Sequence, residues 1–184
     1  MEEDISPLEI KEQIEKASES TEDWSRYLAL TTAIIAVLAA VTSLQSGNYS
    51  DRSLLEKNNA VLLQNKASDQ WTYYQSKGVK KNIAEGFAGQ NPEDKAKQQI
   101  EKYGREQKEI QEHAQELEKQ VSESEEKSER LFEKHHKAAL GVTLFQIAVA
   151  LSAISALMKR KSLWYLSIFS AVGGLALLLT GILK

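Results

Sequence analysis

The sequence predicts an all-α integral membrane protein with three transmembrane helices and a long antiparallel helical hairpin, a coiled-coil stalk, between the first and second spans. Residues 28–44, 138–158 and 163–183 contain no Asp, Glu, Lys, Arg or His, and about 20 such residues suffice for a helix to cross a bilayer. From residue 96 to residue 156 one apolar pattern repeats at alternating steps of four and three, which is typical of a coiled-coil seam. The chain has only two prolines and is rich in Glu, Lys, Gln, Ala and Leu, so the other segments are also predicted to be helical.

The charge pattern and the composition exclude several classes of protein. The net charge is −3. Residues 1–26 carry nine acids and three bases, and residues 47–137 carry seventeen acids and sixteen bases. Neither segment is a basic patch, so we expect no nucleic-acid partner. The chain has no cysteine, and it has neither a glycine-rich phosphate loop nor a nucleophile elbow, so we predict no enzyme, no cofactor and no metal site.

Residues 1–23 are predicted to be an acidic N-terminal segment with a short amphipathic helix. Ser6-Pro7-Leu8-Glu9 has the pattern of a capping box with proline at the first helical position. The polar face of this helix is acidic, whereas helices that lie on membranes are usually basic on that face. We therefore interpret it as a helix that packs within the protein's own assembly. The alternative is a helix that docks on the membrane or on a partner.

Residues 24–46 are predicted to be the first transmembrane helix. Trp24 and Tyr27 stand at its beginning, where interfacial aromatic residues are common. Small residues recur along one stripe of this span, and such stripes let helices approach closely in lipid. We expect some partners of the stripe to be helices in other copies of the chain; the alternative is that small residues are simply common in membrane helices. The predicted packing positions are Ala29, Ala33, Ala36 and Ala40.

Residues 47–137 are predicted to form the extramembrane hairpin, with helices at about 50–85 and 92–137. We expect Gln45-Ser46-Gly47-Asn48 to break or kink the chain after the first span. Asn91-Pro92 is predicted to begin the second hairpin helix, with Asn as the cap. Two serines, Ser124 and Ser128, occupy seam positions of that helix and bury little apolar area. We therefore expect this part of the hairpin to be the loosest.

The length of the connecting loop predicts the register of the hairpin. With the turn centred near residue 89, Tyr74 is predicted to lie level with Gly104. Trp71 would then lie level with Gln107. A glycine in the middle of a helix costs roughly 1 kcal/mol relative to alanine, and room for a facing aromatic ring would explain Gly104.

Residues 138–158 and 162–183 are predicted to be the second and third transmembrane helices, joined by a short basic turn of Lys159, Arg160 and Lys161. Short loops rich in Lys and Arg tend to face the cytoplasm. We therefore predict a cytoplasmic N-terminus and turn and a periplasmic hairpin, although the basic residues before the second span favour the opposite orientation. The predicted packing positions of these spans are Ala148, Ser152, Ala156, Ser170 and Gly174.

Three groups of residues carry a family resemblance: Leu28-Ala29-Leu30-Thr31-Thr32-Ala33, Ala67-Ser68-Asp69-Gln70-Trp71 with Tyr73-Tyr74-Gln75, and Leu144-Phe145-Gln146-Ile147-Ala148. Together they resemble a family of uncharacterised bacterial membrane proteins catalogued as domain of unknown function 4337. The resemblance covers nearly the whole chain and implies a bacterial three-span protein, without supplying a mechanism. It directs attention to a polar and aromatic cluster, which we interpret as the packed core of the hairpin, the alternative being a recognition patch for a ligand or partner. The cluster comprises Asp69, Gln70, Trp71, Tyr73, Tyr74, Tyr103 and Gly104.

These features predict a structural or interaction protein of the bacterial inner membrane. We expect it to self-associate through the small-residue faces of its spans and through its hairpin. Its expected partners are the lipid bilayer, other copies of the chain and an unidentified protein. The alternative is an oligomeric channel whose pore is lined by Thr31, Thr32 or Gln146.

Overall fold

The computed structural model describes residues 7–89 and 94–183, with the backbone alone for 7–23 and 182–183. The side chains of the N-terminal amphipathic segment and the predicted cap at Asn91-Pro92 therefore lie outside the described residues.

The described residues form three helices and no strand. Each helix is long and apolar enough to cross a membrane, so the fold is all-α, as predicted. The helices are α1, Pro7–Ala88, α2, Asp94–Met158, and α3, Lys161–Leu183.

Helix α1 continues without interruption through the segment where a break was predicted. The predicted break is wrong because Gly47, the helix breaker of that segment, costs only about 1 kcal/mol within a helix. Contacts of neighbouring residues outweigh this cost: Thr42 and Ser46 are buried, and Gln45 donates a hydrogen bond of 2.9 Å to the Tyr49 hydroxyl within the helix.

Helices α1 and α2 both end at residues with positive φ. Gly89, with φ of 60°, follows the last residue of α1, and Lys159, with φ of 52°, follows the last residue of α2. At the second end the Arg160 amide donates to the Ser155 carbonyl oxygen over 3.3 Å, and the Ser155 hydroxyl donates to the Arg160 carbonyl oxygen over 2.8 Å. This arrangement caps α2 and also reverses the direction of the chain. Only Lys159 and Arg160 therefore separate α2 from α3.

Helix α2 buries the face that its seam predicts. Every seam position from Ile100 to Ser152 is buried or half-buried, whereas Ala156 near the end of the helix is exposed. The prediction of one continuous apolar face along α2 is therefore confirmed up to Ser152.

The chain forms two compact units. The first comprises Met1–Tyr49 and Glu133–Lys184, and the second comprises Ser50–Phe132. All three helices contribute to the first unit. In the second unit α1 and α2 are in contact, and the contacts run from Ser53 with Ser128 to Lys77 with Glu106. Rising numbers on one helix match falling numbers on the other, so the two helices are antiparallel within this unit.

Candidate interaction surfaces

The first unit is centred on Phe145. Its side chain is fully buried and packs with Ile35 of α1 and with Ala148, one of the predicted packing positions. Ala171 of α3 contributes to the same cluster. The three helices of this unit therefore pack together around the Phe145 ring.

Helices α2 and α3 approach most closely at two glycines. A Cβ atom built on Gly174 would lie 3.0 Å from the Gly141 carbonyl oxygen and 3.2 Å from two carbons of the Phe145 ring. A Cβ built on Gly141 would in turn lie 3.2 Å from the Gly174 carbonyl oxygen. Real Cβ atoms rarely approach other atoms this closely, so the contact depends on glycine. The structure thus places Gly174, predicted to be a packing position, where two backbones touch.

Hydroxyl groups form hydrogen bonds between α2 and α3. Ser152 of α2 and Ser167 of α3 are buried and share a hydrogen bond of 2.9 Å. Ser170 of α3 donates to the Leu144 carbonyl oxygen over 2.9 Å. Two predicted packing positions, Ser152 and Ser170, therefore lie between α2 and α3 and use hydrogen bonds as well as their small size.

Thr31 of α1 forms a hydrogen bond with α3. The Trp164 indole donates to the Thr31 hydroxyl over 3.0 Å, and that hydroxyl lies 2.9 Å from the Tyr27 carbonyl oxygen. Thr32 also donates within α1, to the Leu28 carbonyl oxygen over 2.7 Å. Thr31 was predicted as a candidate pore residue, but its hydroxyl already serves packing between helices.

His135 joins α2 to α1 at the edge of the first unit. Its Nδ1 lies 2.9 Å from the Ser46 carbonyl oxygen and 3.0 Å from the Ser46 hydroxyl. Nδ1 can donate to the carbonyl oxygen in one tautomer and accept from the hydroxyl in the other. In either tautomer the histidine contacts α1, a role that the sequence pattern did not indicate.

The small-residue stripe of α1 does not face the interior of the first unit. Its predicted positions, Ala29, Ala33, Ala36 and Ala40, are all exposed, and so is Ala156 of α2. Most of them nevertheless lie together in one groove of about 430 Å³ between α1 and α2. The groove walls are made mainly of small side chains from two helices whose stripes were predicted separately. The lining residues are Ser25, Leu28, Ala29, Thr32, Ala33, Ala36, Ser152, Ala153 and Ala156.

Gln146 lies on the outer surface of α2, outside the lining of this groove. It is exposed, and its amide makes no hydrogen bond with any residue that the structure describes. Ala153, which lines the groove, is seven residues further along and therefore on the same helix face. The exposed amide and the α2 side of the groove therefore share one face of α2.

The two seam serines of the second unit are better packed than the sequence predicts. The Ser53 hydroxyl donates to the Ser128 carbonyl oxygen over 2.9 Å, and the Ser128 hydroxyl donates to the Ser53 carbonyl oxygen over 3.0 Å. Both serines are buried. Asn59 donates to the Ser124 hydroxyl over 3.0 Å. Hydrogen bonds between closely spaced backbones here replace the missing apolar contacts.

The register of the second unit differs from the predicted one by about one helical turn. Gln107 faces Tyr74, whose carbonyl oxygen accepts from the glutamine amide over 3.4 Å. A Cβ atom built on Gly78 would lie 2.7 Å from that amide nitrogen, whereas nothing lies within 4 Å of one built on Gly104. Gly104 therefore does not make room for Tyr74. The prediction centred the turn near residue 89, whereas α1 ends at Ala88 and α2 begins only at Asp94.

The predicted polar and aromatic cluster divides into two parts. Trp71 and Tyr74 pack edge to face with ring centroids 5.5 Å apart, and the Trp71 indole donates to Glu118 over 2.8 Å. Gln70 is half-buried, and Asp69 is exposed.

The other part surrounds Lys77, which the sequence pattern did not indicate. Its ammonium lies 5.0 Å from the centre of the Tyr73 ring and 5.7 Å from the centre of the Tyr103 ring. It forms an ion pair of 2.6 Å with Glu106. Hydrogen bonding to Glu106, and then to Tyr73, holds the pKa of Lys77 above its ordinary value of 10.5. Hydrogen bonding to Lys77 lowers the pKa of Glu106 below 4.5.

The Lys77 side chain is only 13% exposed and is already paired, so the cluster supports packing between α1 and α2. Among the described residues no group of three or more histidine and carboxylate side chains is placed to hold a metal ion.

A family model described as "Domain of unknown function (DUF4337)" matches residues 24–184. The match includes the whole second unit, the first unit from residue 24 onwards, and every residue that lines the small-residue groove. No curated protein and no solved structure matches the chain.

Proposed function

Because the chain belongs to the DUF4337 family, whose description names no activity, we propose a function from its geometry: it is a membrane-anchored structural or interaction protein that self-associates. The apolar parts of α1, α2 and α3 span the bacterial inner membrane. The antiparallel contacts of the second unit, from Ser53 with Ser128 to Lys77 with Glu106, support a coiled-coil hairpin as its extramembrane part.

The exposed Gln146 amide is the observation that carries this proposal. It lies near the middle of the charge-free run 138–158, so in a bilayer it faces hydrocarbon. An amide there gains from any hydrogen-bonding partner, and such bonds between membrane helices contribute about 0.6 to 2 kcal/mol. No described residue of the same chain provides one. A second copy of the chain provides it when the same helix face meets its counterpart.

The small-residue groove, whose α2 side shares a helix face with Gln146, supports the same conclusion. In lipid, helices associate mainly by close packing, because hydrocarbon is as apolar as the side chains. Ala29 and Ala33 of α1 and Ala153 of α2 leave a concave surface on which another helix can approach closely. Packing and hydrogen bonding thus favour the same outer surface.

The orientation is proposed from charge. Lys159, Arg160 and Lys161 lie at a turn between two membrane helices, and short basic loops are retained in the cytoplasm. The N-terminus then lies in the cytoplasm, and the hairpin lies in the periplasm. Labelling of single cysteines at Arg160 and Glu116 with an impermeant maleimide in intact cells tests this: only Glu116→Cys should react.

Substitution of Gln146 tests the proposed association. We expect Gln146→Leu to reduce chemical cross-linking between copies in native membranes. Thr143→Val is the matched control, since the Thr143 hydroxyl is exposed on the same helix but already donates to the Ala139 carbonyl oxygen over 3.1 Å. Equal cross-linking of the wild type and both variants would contradict the role of Gln146, and single copies in all three would contradict self-association.

An oligomeric channel is a second candidate, because the same exposed Gln146 amide could line a pore between copies. Thr32 is one of the polar residues that line the small-residue groove. Ion flux through purified protein in liposomes, abolished by Gln146→Leu or Thr32→Leu, would favour a channel. Absence of flux at high protein loading would argue against it.

A further inference from the structure

Helix α1 has two apolar faces in the second unit. One face is buried against α2 and includes Ser53, Ala60 and Ala67 at intervals of seven residues. The opposite face carries Leu54, Leu55, Val61 and Leu62, which are 60%, 68%, 53% and 53% exposed. At about 100° per residue these four side chains point within roughly 120° of one another.

This second face distinguishes α1 from α2. On α2 between Asp94 and Phe132, the only exposed large apolar side chain among the described residues is Phe132. The outer surface of α2 is otherwise polar and consists mainly of Glu, Lys, Arg and Gln. Exposed leucines are common on helices that face lipid. The charged residues Asp51, Arg52 and Lys66, however, indicate that this part of α1 lies in water. A helix that is apolar on two opposite faces, next to one that is apolar on a single face, is typical of the inner helix of a larger bundle.

We propose that the face formed by Leu54, Leu55, Asn58, Val61, Leu62 and Asn65 binds the same face of a second copy, with the two α1 helices parallel. This rests on the proposed self-association and adds a contact outside the membrane. The positions Leu54, Asn58, Val61 and Asn65 follow the alternation of four and three residues that defines a coiled-coil seam.

The two asparagines favour a parallel orientation of the two α1 helices. Asn58 and Asn65 are exposed and lie at the centre of the face, between the row of Leu54 and Val61 and the row of Leu55 and Leu62. In a parallel arrangement each asparagine meets its counterpart, and an amide that both donates and accepts can satisfy itself in this way. An antiparallel arrangement satisfies the amides only in the register that places Asn58 against Asn65, and it would require the two membrane anchors to lie on opposite sides. Paired core asparagines in coiled coils fix the register and the parallel orientation at some cost in stability, and copies anchored in one membrane already share an orientation.

The area of the face explains why membrane anchoring is needed. The exposed parts of the four apolar residues amount to roughly 400 Å² in each copy, which is within the range of the largest apolar patch on a typical monomer. Two copies would bury roughly 800 Å², less than the about 1,200 Å² of a stable interface. Association by this face alone is therefore weak, whereas tethering both copies in one membrane raises their effective concentration.

The absence of cysteine from the chain allows a direct test in full-length protein in native membranes. Single variants Asn58→Cys and Asn65→Cys are oxidised, and dimers linked by a disulfide are measured on a non-reducing gel. Gln64→Cys is the matched control, because residue 64 is also exposed but lies off the apolar face. Gln146→Cys reports the membrane contact separately.

Disulfide formation requires Cα atoms about 4.4 to 6.8 Å apart, so we expect Asn58→Cys and Asn65→Cys to link on the order of tenfold faster than Gln64→Cys. Equal rates at all three positions would indicate random collision and would overturn the inference. Linking by Gln146→Cys without linking at 58 or 65 would overturn the inference and leave the proposed function standing. No linking at any position would count against both.

Discussion

Substitution of Gly174 by alanine should destabilise the first unit, whereas the same substitution at its neighbour Gly173 should not. The new Cβ at position 174 would lie 3.0 Å from the Gly141 carbonyl oxygen and 3.2 Å from the Phe145 ring. Neither neighbour can easily move, since one is backbone and the other is a fully buried ring. At position 173 the nearest atom is Leu144 Cδ1 at 3.4 Å, an ordinary contact at the end of a flexible side chain.

The magnitude follows from two opposing terms. Replacing glycine by alanine within a helix gains about 1 kcal/mol at either position. Forcing an extra methyl group into a close-packed contact costs about 1 to 3 kcal/mol, and only Gly174→Ala incurs this cost. The helix gain cancels when the two variants are compared, so Gly174→Ala should be less stable than Gly173→Ala by about 1 to 3 kcal/mol. For a chain of this size that corresponds to a difference in melting temperature of roughly 5 °C.

Thermal unfolding of both variants in the same detergent, followed by circular dichroism or by an intrinsic tryptophan signal, measures this difference. Because α3 is short and both substitutions are on it, effects of detergent on the helix itself are matched. Equal melting temperatures, or a more stable Gly174→Ala, would refute the close contact between α2 and α3 at Gly141.

Three further predictions concern other parts of the chain. Lys159→Gly should raise the melting temperature, because lysine at φ of 52° carries a strain of about 1 kcal/mol that glycine lacks; a lower melting temperature would contradict the left-handed cap. Gly104→Ala should stabilise the protein by up to about 1 kcal/mol, since its Cβ meets open space, and Gly78→Ala should gain less, since its Cβ displaces the facing glutamine amide. The Lys77–Glu106 pair should make the free energy of unfolding depend on pH. Because the pKa of Glu106 is lowered, the stabilisation by this pair is fully present above the ordinary pKa of a glutamate. It is lost as the pH falls through the lower pKa that Glu106 has in the folded protein. The fall in melting temperature between about pH 6 and pH 3 should therefore be smaller in Glu106→Gln than in the wild type.

The elements that repeat along the chain were predictable from sequence. The seam of α2 is a property of one helix, and its positions from Ile100 to Ser152 are buried or half-buried, as the spacing predicts. The three charge-free runs likewise lie on three helices that are apolar enough to cross a membrane.

The parts that depend on two segments at once were not predictable in the same way. The break expected near Gly47 reflects a local preference of about 1 kcal/mol, which packing at Thr42 and Ser46 overrides. The register of the second unit depends on where the chain reverses, and a small error there moved the facing residue of Tyr74 from Gly104 to Gln107.

In the candidate interaction surfaces, some features were predictable from the sequence and others were not. The stripes that contain Ala29, Ala33 and Ala156 were apparent in the sequence, but only the structure shows that they line one groove. Gln146 was visible as a polar residue in an apolar span, yet its exposure depends on which side of α2 the other two helices cover. The second apolar face of α1 is recognisable only once the burial of Ala60 and Ala67 shows which face packs against α2.

The mass of the particle extracted from native membranes, measured by light scattering or mass photometry at several dilutions, tests the proposed self-association most directly. We predict a protein mass that is a stable multiple of 20.6 kDa and that falls towards a single copy in Gln146→Leu. A wild-type particle containing one copy of 20.6 kDa at every dilution would contradict the proposal.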